Sequence, residues 1–308
     1  MSPPVFLSYR RADEPYAAAL AYAQLSASFA GDTVFLDTRF LRQRGDVSRQ
    51  LLTAVAASRL VLAIIGPAWD DAERRSRLAN PHDWVRRELV AADEAGKPIV
   101  PVLVDRTDVP RELPFAVPSW LDPVLLASTG FRDTVGALVE LVRGHLGNPA
   151  TRAHASADLV PAAVEAMLRH VLPGPQRRMG NDQVVARVVA GELGDREWLR
   201  FVATGNLPGR PNGSAVVWLT STHLVVADLG PDLHSTGTFR IGLADIQDVR
   251  RTDGRRLWLP VSDLTITTRD GHGVEIRGFF AEEASELLDM INHRNPGNSS
   301  TGYRVSIS

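Results

Sequence analysis

"LVLAIIG", residues 60–66, is apolar without a break and ends on a glycine. A strand with one wet face alternates apolar and polar side chains, so an uninterrupted run of this kind reads as a strand covered on both faces. Other runs in the first half repeat the pattern: "VFLSY" (5–9), "TVFLD" (33–37), "PIVPVLV" (98–104) and "PVLLAS" (123–128), with helix-like stretches between most of them. Short buried strands alternating with helices predict a doubly wound α/β domain on a parallel sheet. "FRDTVGALVELVRGHLG" (131–147) closes it as a helix, with Val135, Leu138, Val139 and Val142 on one face and Gly147 as the stop.

Beyond this point the composition changes. Residues 147–180 are small, polar and broken by Pro and Gly, and read as a linker with one short helix around Pro161 to Val171. From Val184 the pattern reads as all-β, with seven candidate strands between "EWLRFVATG" (197–205) and "GVEIRGFF" (273–280). "AEEASELLDMINHR" (281–294) ends the module as a helix that buries Ala284, Leu287, Leu288 and Ile291. The expected organisation is an α/β domain over 1–146, the linker over 147–180, a mainly-β domain over 181–295 and a disordered tail over 296–308.

Composition removes several classes of function. A length of 308 residues suits two cores. A net charge of -2 gives no global basic field, so no nucleic-acid partner is expected. With no cysteine, disulfides, thiolate catalysis and thiolate metal sites are excluded, and the eight histidines show no metal spacing. No P-loop, dinucleotide-binding glycine motif or nucleophile elbow occurs. The N-terminal residues have no signal-peptide pattern and no apolar run approaches the ~18 residues of a membrane span, which leads us to expect a cytoplasmic protein without a transmembrane segment.

The stretch "ANPHDWVRREL" (79–89) carries the candidate chemistry. Asn80 can cap a helix, Pro81 suits its first turn and Asp83 complements its positive end, so a helix is expected to begin close to Asn80. Val85, Leu89 and Ala92 then form the buried stripe, and Arg86, Arg87, Asp93 and Glu94 point away as surface charges. Glu88 falls on the shoulder of that stripe with Trp84 one turn before it. Such a carboxylate can be a boundary charge paired with an arginine, or a functional group partly desolvated against an indole.

Three boxes in order enlarge the case for function: "FLSYRRAD" (6–13), "FLDTRFLRQRGD" (35–46) and "DWVRREL" (83–89). Together they resemble a Toll/interleukin-1 receptor (TIR) domain of the bacterial type, over residues 1 to about 146. The resemblance implies a flavodoxin-like five-stranded parallel sheet and, in the family's enzymatic branch, cleavage of the nicotinamide–ribose bond of NAD. Glu88 would be the catalytic residue, with Trp84 four positions before it supporting the site. NAD is then a substrate, and no cofactor or metal is expected. The product would be ADP-ribose or a cyclic isomer, made under control of TIR self-association, in a setting such as bacterial immune signalling or antiphage defence. The competing reading is a non-catalytic adaptor that works through TIR-to-TIR contacts.

Substrate contacts are expected where the first strand, "VFLSY", ends, because open α/β sheets bind ligands at the carboxyl ends of their strands. Ser8, Tyr9, Arg10 and Arg11 emerge there; either arginine could meet the diphosphate and Tyr9 the base, or each could satisfy loop groups. Asp37 could orient the loop after the second strand, or simply form a turn. That loop carries Phe40, Arg44 and Gly45; in TIR families it is the usual assembly surface, though a basic loop is also commonly just solvated.

The C-terminal module is similar to pleckstrin-homology or GRAM-like domains, through element order and the "WLTSTHLVV" hairpin (218–226). Its arginines, Arg250, Arg251, Arg255 and Arg256, are interleaved with aspartates, so a protein partner is preferred over a phosphoinositide.

Overall fold

The apolar runs of the first half become strands of one sheet. The computed structural model describes residues 4–10, 13–29, 33–36, 47–118, 121–127, 131–147, 159–170, 182–193, 197–209, 215–230, 234–256 and 259–294. Strands β1 (Val5–Tyr9), β2 (Val34–Leu36), β3 (Leu60–Ile65), β4 (Ile99–Val104) and β5 (Val124–Leu126) pair in the order β2-β1-β3-β4-β5, every neighbour parallel. Every residue of β1, β3 and β4 is buried, which is why their sequences show no alternation. This order changes direction between β1 and β3, and the crevice at that switch point is where open sheets of this kind take ligands.

Helices α1 (Pro15–Ser28), α2 (Val47–Ala57), α3 (Ala72–Ala79), α4 (Trp84–Glu94) and α5 (Phe131–Leu146) complete the sandwich. One face of the sheet is covered by α2 and α4, whose Leu51, Val55, Val85, Leu89 and Ala92 share a core with Phe6, Val61, Ala63 and Trp69. The other carries α1 and α5, with Val135, Leu138, Val139 and Val142 of α5 buried as the periodicity predicts. Gly147 ends α5 with a left-handed φ of 67°, a conformation that costs glycine nothing.

Helix α1 is buried around most of its first two turns and beyond: Ala17, Ala18, Ala19, Leu20, Ala21, Ala23 and Leu25 are all buried. Burial also pushes the Tyr16 phenol far above its ordinary range. A helix of this kind needs cover on more than one side. The cover comes from α6 (Leu159–His170), which packs against α1 through a face containing Ala163, Val164 and Met167. The helix expected in a linker therefore lies on the first unit, which runs to Val171.

Two local expectations change. Helix α4 starts at Trp84, not near Asn80, because the Asn80 side chain accepts from the His82 N–H at 2.9 Å and holds the chain in a turn. Asp83 is the cap instead, its Oδ1 accepting from the Arg86 N–H at 3.0 Å. In the second unit, Leu172–Ser308, the region after Val184 is not all strand: α7 (Asp182–Glu192) is helical. Its valines suggest β propensity, yet Val185 and Val189 repeat at i and i+4 and are buried with Ala186 on one face.

The seven strands expected in this unit are present. Strands β6 (Leu199–Gly205), β7 (Ala215–Thr220), β8 (His223–Leu229) and β9 (Ser235–Gly242) form one antiparallel sheet. A second is made by β10 (Ile246–Arg256), β11 (Leu259–Thr268) and β12 (Gly273–Phe280). The closing helix α8 (Ala281–Arg294) buries Ala284, Leu287, Leu288 and Ile291 against the three-stranded sheet. Arg251 ties that helix to the sheet by donating to Ser285 Oγ at 2.5 Å, and the Ser262 hydroxyl, with Arg251, holds the Asp253 carboxyl below its usual range. A mainly-β unit that ends in a helix fits the pleckstrin-homology-like architecture. Among the described residues no helix is long and apolar enough to cross a membrane, and no group of three or more His, Asp and Glu side chains could hold a metal.

Candidate active site at the end of the first strand

Strand β1 presents alternate side chains to opposite faces of the sheet. Phe6 enters the core under α2 and α4, so Ser8, and Arg10 just past the strand, face the same helices. Tyr9, also buried, lies on the other face, so the sequence-derived set Ser8, Tyr9 and Arg10 is divided between the two sides of the sheet.

On the α4 side, Ser8 Oγ donates to Glu88 Oε2 at 2.6 Å, a contact between residues 80 apart in the chain. Both residues are only 1 % exposed. Glu88 therefore lies within the buried stripe of Val85, Leu89 and Ala92, rather than on its shoulder. The reason is chemical: a carboxyl on an apolar helix face needs polar groups across the interface, and Ser8 supplies one, to Oε2.

Trp84 occupies the first turn of α4, half-buried against the same core, with the Arg87 guanidinium 4.5 Å above its ring. Arg86 donates to the Leu78 carbonyl at 3.0 Å. Neither arginine is the plain surface charge that helix spacing suggested.

Arg10 is 6 % exposed. Its Nη2 donates to Asp83 Oδ1 at 3.3 Å, and its guanidinium sits 5.4 Å from the centre of the buried Trp69 ring. Asp13 holds the turn that follows β3, its two carboxylate oxygens accepting from the Gly66 N–H at 3.0 Å and the Ala68 N–H at 3.3 Å. Arg106, just after β4, donates to the Gly66 carbonyl at 3.3 Å and to Asp70 at 2.7 Å. The carboxyl ends of β1, β3 and β4 are thus laced together by polar side chains around the switch point.

Among the described residues of the first unit, the buried ionisable side chains of Asp, Glu and Arg type are Arg10, Asp13, Glu14 and Glu88, all at this end of the sheet. Buried ionisable groups gathered at one end of a sheet mark a candidate site. Asp13, Gly66, Trp69, Asp83 and Arg106 take part without having been picked out as contacts from sequence. The strand–Gly–Pro boundary at Ile65–Pro67 is the visible signal for Gly66, while Asp13 and Asp83 lie within the boxes at 6–13 and 83–89. Arg11, Asp37, Phe40, Arg44 and Gly45 lie outside the described residues.

Gly66 has no room for a side chain: a Cβ there would stand 2.4 Å from Glu14 Cγ and 2.6 Å from Asp13 Oδ1. Gly66→Ala is therefore expected to destabilise the chain by roughly 1–3 kcal/mol, the usual range for overpacking. Urea unfolding of the two proteins would check it, and an unchanged midpoint would mean that Asp13 and Glu14 yield freely.

A family model described as "TIR domain" matches residues 5–136. The chain carries a TIR domain. Its five-stranded parallel sheet and the site just described both lie in the first unit with that match. Similar solved structures include the TIR domains of the activated Roq1 resistosome directly recognizing the pathogen effector XopQ. They are 18% identical over 61% of this chain and 97% of that one, with a TM-score of 0.25. Another is a pleckstrin homology domain from Shewanella amazonensis SB2B, 13% identical over 35% of this chain and 93% of that one, with a TM-score of 0.26. No curated protein matches the chain.

Proposed function

We propose that the TIR domain breaks the bond between nicotinamide and ribose in NAD, with Glu88 as the catalytic carboxylate. The supporting observation is the burial of Glu88 beside the β1/β3 switch point, where Ser8 holds it at 2.6 Å. Trp84 supports the site by packing, and Arg11 and Asp37 remain proposed substrate contacts.

One carboxylate suffices for this reaction. Glycosidases that expel an alkoxide use an acid to protonate it. Nicotinamide needs no proton: as the C1′–N bond breaks, its electron pair returns to the pyridinium nitrogen and the ring leaves neutral. The positive charge that develops on the ribose is what the protein must stabilise, and a preorganised anion in a dry site does so strongly. Water then adds to C1′ and releases a proton, giving ADP-ribose. A nucleophile from the adenosine half, in place of water, gives a cyclic isomer.

Glu88 and Ser8 are each 1 % exposed, so the carboxyl in this state scarcely meets solvent. We therefore tie activity to self-association, with Phe40, Arg44 and Gly45 as the proposed contact loop and immune signalling against phage as the proposed setting. The same burial favours a second reading, in which the domain is an adaptor and Glu88 a structural group. For the C-terminal unit we propose a protein partner: Arg250, Arg251 and Arg277 are paired with Asp248, Asp253 and Glu275 at 2.5–2.8 Å, which weakens any basic surface for a phosphoinositide.

The test uses the full chain, free at rising concentration and tethered densely on beads, with NAD supplied and nicotinamide measured. Release that grows more steeply than protein concentration is expected. Silence at every density would favour the adaptor.

A further inference from the structure

We propose that Ser8 and Arg10 are positioning residues, which hold α4 and through it Glu88 in place, and that neither binds the dinucleotide. The proposal rests on Glu88 being the group that meets the ribose.

The two residues stand two apart at the end of β1 and reach two points on the same helix. Ser8 meets Glu88 at 2.6 Å; Arg10 meets Asp83 at 3.3 Å. Asp83 caps α4 and Glu88 lies in its second turn, so the contacts bracket the segment that sets the height and rotation of the carboxyl.

Arg10 also strengthens the cap. Asp83 Oδ1 accepts from both the Arg86 N–H and Arg10 Nη2, so the guanidinium holds the carboxylate where the helix start needs it. Trp69, fully buried, gives that guanidinium a flat floor. A diphosphate ligand would need its fork turned to solvent or to an open cleft. Arg10 is 6 % exposed and directed into α4. Ser8 is 1 % exposed and already donates its proton to Glu88. Misplacing a reacting group by about 1 Å can cost roughly 100-fold in rate, so a residue of this kind matters without touching substrate.

The experiment compares native protein, Ser8→Ala, Arg10→Lys and Asp83→Asn as full chains on beads, with kcat and KM for nicotinamide release and, in parallel, hydrogen exchange of the α4 amides. Arg10→Lys keeps the charge a phosphate would want but loses the planar fork. Each variant is expected to lose roughly 10- to 100-fold in kcat with KM held within about twofold. Protection of the Arg86, Arg87 and Glu88 amides is expected to fall about tenfold in Arg10→Lys and Asp83→Asn, the effect of one charge-assisted hydrogen bond. A raised KM with kcat preserved would make Ser8 or Arg10 a substrate contact and overturn the proposal, as would unchanged amide protection. Failure of the underlying reaction looks different: no native turnover at any density, or Glu88→Gln as fast as native, while the exchange measurement still decides whether the pair holds α4.

Discussion

Glu88→Gln is expected to reduce nicotinamide release by roughly 10²–10⁴-fold, the range seen when a transition-state charge stabiliser or acid–base group is removed. The folded chain should be as stable as native, or more so. Glutamine is almost isosteric, and its amide oxygen can still accept from Ser8, so the 2.6 Å contact has a substitute. What disappears is a carboxyl buried on an apolar helix face between Val85 and Leu89, and relief of that burial tends to stabilise. Loss of turnover with retained or increased urea resistance marks a group kept for chemistry. The opposite pattern, native turnover with clear destabilisation, would assign Glu88 to structure and leave the reaction without its carboxylate. Glu88→Ala is the cruder variant, since it also strands the Ser8 hydroxyl in a dry cavity at about 1–3 kcal/mol.

The largest loss of stability is expected at Trp69. Its indole is 1 % exposed, shares a core with Val85 and Leu89, and carries the Arg10 guanidinium on its face. Trp69→Ala is expected to lose about 3–5 kcal/mol, a large part of what holds an ordinary domain together. Hydrogen exchange at the amides of β1, β3 and β4 would read it directly, since those amides open with the unit as a whole. Trp69→Phe should lose much less, within about 1.5 kcal/mol. Among the described residues the Trp69 Nε1 has no hydrogen-bond partner, so phenylalanine gives up area but also removes a buried donor. If alanine and phenylalanine proved equally mild, the core around α4 would have to be far looser than its burial implies.

What sequence can convey here follows from the range of the interactions. β1, β3 and β4 are buried on both faces, a property each residue of "LVLAIIG" carries by itself, so those strands are legible at once. The closing helices α5 and α8 are legible for a similar reason, since periodicity and a terminal glycine or acidic turn are local. The burial of Glu88 is not local. It depends on Ser8, 80 residues away, and helix spacing alone makes the same glutamate a boundary charge. The start of α4 turns on a contest between Asn80 and Asp83, which residue type alone does not decide, because both are good caps. Nothing in "SYRR" reveals the Asp83 carboxylate and Trp69 ring that Arg10 meets, so residue type alone leaves it open between a diphosphate contact and a group that satisfies its own loop. In α7, the weak β preference of valine masked a helical spacing that only burial makes decisive.

The packing of α6 on α1 bears on how the protein can be handled. The match to the family stops at residue 136, well short of Leu159–His170. Trimming the chain at that limit would cut α5 early in its length, removing the buried Leu138, Val139 and Val142, and would also strip α6 from the outer flank of α1. Such a fragment is expected to aggregate through apolar side chains that α5 and α6 cover in the full chain. Any preparation meant to report on genuine self-recognition has to keep the chain through His170.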